Sequence, residues 1–98
     1  MKKTYKLTHP KIKPARLIDS VKHDVKKYLK RERNKSLPKG VDFWDFDCKY
    51  GPSEDEAVVI HLSAINKNID EAEKNNLESF YIEIMAAPGY RTKKDNPE

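Results

Sequence analysis

Asp45 and Asp47 stand two residues apart in the stretch VDFWDFDCKY, and His61 follows in AVVIHL. Alternate residues of an extended strand share a face, so these carboxylates would project side by side about 7 Å apart, a spacing at which paired acids can share a divalent cation. A hairpin centred near Ser53 would set His61 opposite Asp45, and two carboxylates with an imidazole could hold a metal or act as general acid and base. No nucleophile accompanies the set and no recognised metal-ligand spacing surrounds it. The ordinary reading, solvated polar residues on the open side of a sheet, therefore has the greater weight, and no metal site or catalytic residue is assigned. His9 precedes a proline and His23 falls on a polar helical arc, so both read as surface histidines. Cys48 alternates in phase with Trp44, Phe46 and Tyr50, which makes it a small core hydrophobe. With three glycines in the chain, there is no glycine-rich phosphate loop, Walker motif or nucleophile elbow. The expectation is a protein without catalytic function or cofactor.

The second constellation is made of charge. In Pro14 to Lys35, Leu17, Ile18, Val21, Val25, Tyr28 and Leu29 recur at spacings of three and four, the stripe of an amphipathic helix facing a core. Arg16, Lys22, Lys26, Lys27, Lys30, Arg31 and Arg33 occupy the other arc with His23, offset only by Asp19 and Asp24. Lysine-rich helices contact phosphates without reading bases, so this face suits non-sequence-specific association with RNA or DNA, sensitive to salt. The plain alternative is a solvated helix partly balanced by Asp70, Glu71 and Glu73 of a neighbouring helix.

Charge is also divided along the chain. Residues 1–40 hold 14 Lys/Arg against 3 Asp/Glu, while residues 41–98 hold 6 against 13, within a total of +4. Such a dipole steers an anionic partner to the first half, or it is satisfied by self-association, and this keeps a second function open: a protein-interaction module, as a homodimer in which the basic half of one copy meets the acidic half of another. Membrane association is disfavoured because the apolar arc is needed by the core, no run approaches spanning length, and no apolar segment follows the basic MKKTYKLTHPKIK. A single cysteine cannot form an internal disulfide, which suits a reducing, cytoplasmic location.

The elements that must carry these residues follow from periodicity. KTYKLT (residues 3–8) has the period of two of a half-buried strand, and Pro14 can open the helix because its missing N–H would have no partner there. The helix runs to about Asn34, and SLPKG ends it with turn chemistry. VDFWDFDCKY is the clearest strand. Residues 57–62 are ambiguous: the β-branched run favours a strand, but Ser53 and Glu56 form a passable capping box and Val58, Leu62, Ile65, Ile69 and Ala72 keep helical spacing. A strand is favoured, with Ser63 as the N-cap of a second helix over 64–75 that buries Ile65, Ile69 and Ala72 and ends at Asn75-Asn76. The last strand is 79–86, with Phe80, Ile82 and Ile84 on one face, Tyr81, Glu83 and Met85 on the other, and Pro88-Gly89 closing it.

The charged fraction of 37% would suggest disorder were the apolar residues not clustered in these periodic runs. They imply one α+β domain over residues 1–87 and a flexible polar tail over 88–98. The order β-α-β-β-α-β predicts a ferredoxin-like sandwich, with two helices on one face of a four-stranded antiparallel sheet in spatial order 4-1-3-2. Its alternative is a three-stranded βαβαβ sheet. A comparison with the RNA-recognition module fails, because the third strand lacks aromatics and those of the second face the helices. The segments YKLTHPKIK, VKKYLKRERNKSLPKGVDFWDFDCKYG and ESFYIEIMAAPGYR resemble a family of short bacterial proteins classed only as a domain of unknown function. That resemblance implies a bacterial, stand-alone domain and brings no activity, cofactor or site residue with it.

Overall fold

The computed structural model describes residues 1–91. Its elements are β1 (Lys2–Lys6), α1 (Pro14–Arg33), β2 (Phe43–Gly51), β3 (Val58–Ile60), a 3-10 turn (Leu62–Ala64), α2 (Ile65–Lys74) and β4 (Ser79–Gly89). The strands form one sheet in the order β1-β4-β2-β3, and all three neighbouring pairs are antiparallel. The α+β class, the four antiparallel strands and the two helices are as the sequence implies, but the ferredoxin-like order 4-1-3-2 is not the order observed. Strand length gives the reason. Order 4-1-3-2 would pair β1, of 5 residues, with β3, of 3, at the centre of the sheet. The observed order instead pairs the longest strands, β2 of 9 residues and β4 of 11, along their whole shared length from Phe43↔Gly89 to Gly51↔Tyr81.

Residues 58–60 are extended and pair with Cys48, Lys49 and Tyr50, which removes the three-stranded alternative. The Ser53 hydroxyl donates to Glu56 Oε2 at 3.4 Å, and the Glu56 N–H donates to the Ser53 carbonyl at 3.2 Å. This makes a tight turn between strands, and no helix starts there. Nor does Ser63 cap α2. The His61 ring accepts the Ser63 N–H at 3.1 Å and so caps the 3-10 turn that leads into the helix. Pro14 is the first residue of α1, as its missing donor allows. At the other end of α2, the Leu77 N–H reaches the Ala72 carbonyl and the Asn76 N–H the Glu73 carbonyl, both at 3.0 Å, with Asn76 at a φ of 55°. Those two bonds are a Schellman motif, in which asparagine supplies the left-handed residue.

One face of the sheet and both helices enclose the core. Tyr5, Phe46, Cys48, Phe80, Ile82 and Ile84 come from the strands, Ile18, Val21 and Val25 from α1, and Ile65, Ile69 and Ala72 from α2. Burying each large apolar side chain contributes roughly 1.5–3 kcal/mol. A surface ion pair such as Lys22–Asp70 contributes about 0–1 kcal/mol, so packing and not charge holds the layers together.

Pro88 and Gly89, expected to close β4, are its last two residues. The Ile84 N–H and C=O point toward the β1 side, where they pair with Met1, and the Gly89 carbonyl points toward β2, where it accepts from Asp42. Alternation along the strand then aims the missing Pro88 donor to the β1 side, beyond the end of β1, so the proline breaks no ladder bond. Of the tail expected over 88–98, residues 92–98 lie outside the described residues.

The β2–β3 turn folds back onto the open face of the sheet. A Cβ at Gly51 would stand 2.6 Å from Ala57 Cα and 2.8 Å from the Glu56 carbonyl oxygen. Tyr81, paired with Gly51, is only 3% exposed although it belongs to that face. Gly51→Ala therefore forces backbone against backbone. It should lower stability by about 1–3 kcal/mol, the usual cost of overpacking, in urea unfolding followed by circular dichroism. Gly89→Ala should cost less, because the nearest atoms its Cβ would meet belong to the half-exposed Phe43 ring, which can turn aside.

Candidate nucleic-acid interface

The seven cations expected to act together are all on α1, but the fold divides them. Arg16 is exposed in its first turn, and Lys26, Lys27 and Lys30 are exposed along its outer surface. Lys22 is drawn to α2, with its Nζ 2.5 Å from Asp70 Oδ1. Arg31 lies over the Tyr28 ring at 5.5 Å, with Nε 3.6 Å from Glu32 Oε2. Arg33 lies over the Phe46 ring, also at 5.5 Å. Among the described residues, then, Arg16, Lys26, Lys27 and Lys30 form no ion pair.

Lys22, Lys26 and Arg33 rim a groove of about 290 Å³ between α1 and the start of α2. Its apolar residues are Val25, Leu29, Leu62 and Ile65, and Ser63 and Asn66 line it opposite. A second hollow, also about 290 Å³, lies at the C-terminal end of α1 and is lined by Arg33, Leu37, Asp42, Phe43 and Trp44. Sequence reasoning placed Trp44 in the core set and gave Phe43 no part. The available signal was an aromatic pair shortly after the SLPKG turn, beyond Val41 and Asp42.

Glu32 was also missed. It continues the spacing of Val25 and Leu29, so it lies on the buried stripe, where it is 8% exposed. Lys35 Nζ approaches its two carboxylate oxygens at 3.1 and 2.9 Å. The Lys35 carbonyl in turn accepts from Trp44 Nε1 at 3.0 Å. Lys35 thus ties the end of α1 to the start of β2 and fixes the floor beside Arg33.

The other sequence candidates do not assemble. The pairing Cys48↔Ile60, extended by one residue, sets His61 level with Asp47 and not Asp45. The His61 ring is turned to Ser63, with Nδ1 2.8 Å from its hydroxyl, and Asp45 Oδ1 accepts the Phe46 N–H at 2.8 Å. No group of three or more possible metal ligands exists among the described residues. His9 Nδ1 accepts the N–H groups of Lys11 and Ile12 at 3.0 and 3.1 Å, an ordering role in the β1–α1 connection. Cys48 is 2% exposed. Burial, with Asp47 and Asp45 nearby, pushes its thiol up to about 11, so it stays protonated near neutrality. Burial and the Asp24 carboxylate, which the hydroxyl approaches at 3.4 Å, raise Tyr5 to about 12.

Glu32 generates a pH prediction. The hydrogen bond from Lys35, reinforced by the charges of Lys35 and Arg31, holds its carboxyl below the ordinary range despite burial. A depressed folded pKa means that its stabilising contribution is complete above the unfolded value of about 4.3 and is lost as pH falls through the folded value. Urea midpoints measured from pH 7 down to pH 3 should fall less steeply for Glu32→Gln than for wild type. Parallel curves would mean that the pair contributes nothing to acid sensitivity.

No helix among the described residues is long and apolar enough to cross a membrane. Comparison with curated proteins and with solved structures returns no match. A family model does match, over residues 1–96, and its description is a family of unknown function. With nearly the whole sequence covered, the chain belongs to the Family of unknown function (DUF6172).

Proposed function

We propose that this protein associates with RNA or DNA, without sequence preference, through the basic outer face of α1. The observation that carries the reading is the set Arg16, Lys26, Lys27 and Lys30, exposed on one helix and without an acid partner among the described residues. Phosphates are the anions that a row of mobile ammonium groups meets without geometric demands, and the row offers no rigid donor pattern for reading base edges. A reducing, cytoplasmic location suits a chain whose one cysteine is a buried thiol.

A second reading, a charge-complementary homodimer, draws support from Asp45 and Asp47. Both are exposed on the face of the sheet opposite the helices, so the two signs point in opposite directions. Size measurement at low and high salt separates the readings. A dimer that dissociates in salt and carries no nucleic acid favours the second.

The nucleic-acid reading makes a quantitative prediction. Three or four phosphates met by these side chains should give a slope of log K against log salt of about −3. Lys26→Glu, Lys27→Glu and Lys30→Glu together should abolish retention of RNA and DNA alike at roughly 50 mM salt, in the range where electrostatic binding is strong. Folding should survive, because none of the three is buried. Lys22 is left in place because a glutamate there would face Asp70. Binding by the triple variant equal to wild type would reduce α1 to a solvated face.

A further inference from the structure

Arg33 borders both hollows. On one side it closes the groove rimmed by Lys22 and Lys26, and on the other it forms the wall of the hollow with Leu37, Asp42, Phe43 and Trp44. A path of cations along α1 thus ends at a hollow with two aromatic residues in its wall. The hollow is accessible: Phe43 is 40% exposed and Leu37 43%. Trp44 is half-buried and its only donor is already used on the Lys35 carbonyl, so what it can offer a ligand is the surface of its ring. Asp42, the acid in the wall, has Oδ2 occupied by the Arg91 N–H at 2.7 Å.

Cations beside aromatic rings are the two parts of a single-strand site: the backbone follows the charges, and an unpaired base lays its face on a ring. A duplex meets the charges equally well, but its bases are stacked on one another and cannot enter the hollow. Lys26 lies about 10 Å along the helix axis from Arg33, so the phosphates flanking a base in the hollow fall back along the same helix edge. We infer that the ligand of this face is single-stranded nucleic acid, with one base seated in the hollow that Phe43, Trp44 and Arg33 line and its neighbouring phosphates on Lys26 and Lys30. This rests on the nucleic-acid reading above and narrows it to unpaired strands.

Trp44 is the one tryptophan of the chain, so its emission reports the hollow directly. Titration with oligo-uridylate or oligo-thymidylate should quench it saturably. Affinity should be about tenfold higher than for a duplex of equal length at the same salt, the gain expected from one stacked base. Phe43→Ala should remove roughly that tenfold for single strands and leave duplex binding unchanged. Leu37→Ala, on the opposite wall, should weaken single-strand binding in the same direction and serves if the Phe43 variant does not fold. Equal affinity for duplex and single strand, or binding of single strands without quenching, overturns this inference and leaves general phosphate binding standing. Absence of binding to either overturns both.

Discussion

The β2–β4 ladder is the constraint on which the rest of the molecule depends. Among the described residues, β4 is the last element in the sequence, yet it occupies a central place in the sheet and is the only neighbour of β1. Until residues 79–89 have entered between β1 and β2, the first strand has nothing to pair with and Phe80, Ile82 and Ile84 are missing from the core. Those three side chains are 0–1% exposed, and together they form the floor on which both helices rest. Pairings this distant in sequence must offset loop-closure entropy before they stabilise anything, so the fold depends on contacts that form late and together.

Edge and centre are distinguished by composition as well as length. β1 carries Lys2, Lys3 and Lys6, charges of the kind that discourage a further strand from adding to an edge. β3 has only 3 residues, and shortness is another way of limiting an edge. Between them, the open face alternates Lys2, Glu83 and Lys49 across paired strands, an opposite-charge row of the kind that steadies cross-strand register. The helical face is apolar by contrast. The sheet is thus one-sided, with α1 presented outward, and the Glu32–Lys35–Trp44 chain of contacts fixes how the end of α1 meets β2.

Most of this was legible where a periodic pattern had one reading. The α1 stripe, the alternation of β2 and β4, and Ile65, Ile69 and Ala72 on α2 were all visible as spacing. Strand order was not, because periodicity says which residues face a core and nothing about which strand lies beside which. The clue lay in the unequal lengths. Glu32 was illegible for another reason: an acid on an apolar stripe looks like a boundary, and only the fold brings Lys35 back to it. In the metal-like cluster the register differed by two residues, which leaves the facing side unchanged but changes every partner, and local bonds that spacing does not reveal turn the His61 ring to Ser63 and Asp45 to the Phe46 N–H. The hollow beside Arg33 needed the turn at residues 36–42 to bring Leu37 to the wall that Phe43 shares, and loop conformation is what pattern reading predicts least.

How much of the charge on α1 serves the fold can be weighed position by position. Cations in the last turn complement the helix dipole, typically by about 0.3–1 kcal/mol, so Lys30, Arg31 and Arg33 have a structural explanation. Lys22 has one in Asp70. Lys26 and Lys27 lie more than a turn from the C-terminus, beyond the reach of that effect, and Lys26 is spaced four residues from both Lys22 and Lys30. Like charges at that spacing destabilise a helix by roughly 0.2–0.5 kcal/mol per pair. Arg16 is in the first turn, where the dipole disfavours a cation and where α1 has no acid. Asp19, three residues after Arg16, and Asp24, three before Lys27, offset part of this, so the charge at these positions contributes little to the stability of the helix. Electrostatics within the chain explains the cations near Asp70 and in the last turn, and accounts for less of the charge at Arg16, Lys26 and Lys27, the positions on which the proposed phosphate binding rests.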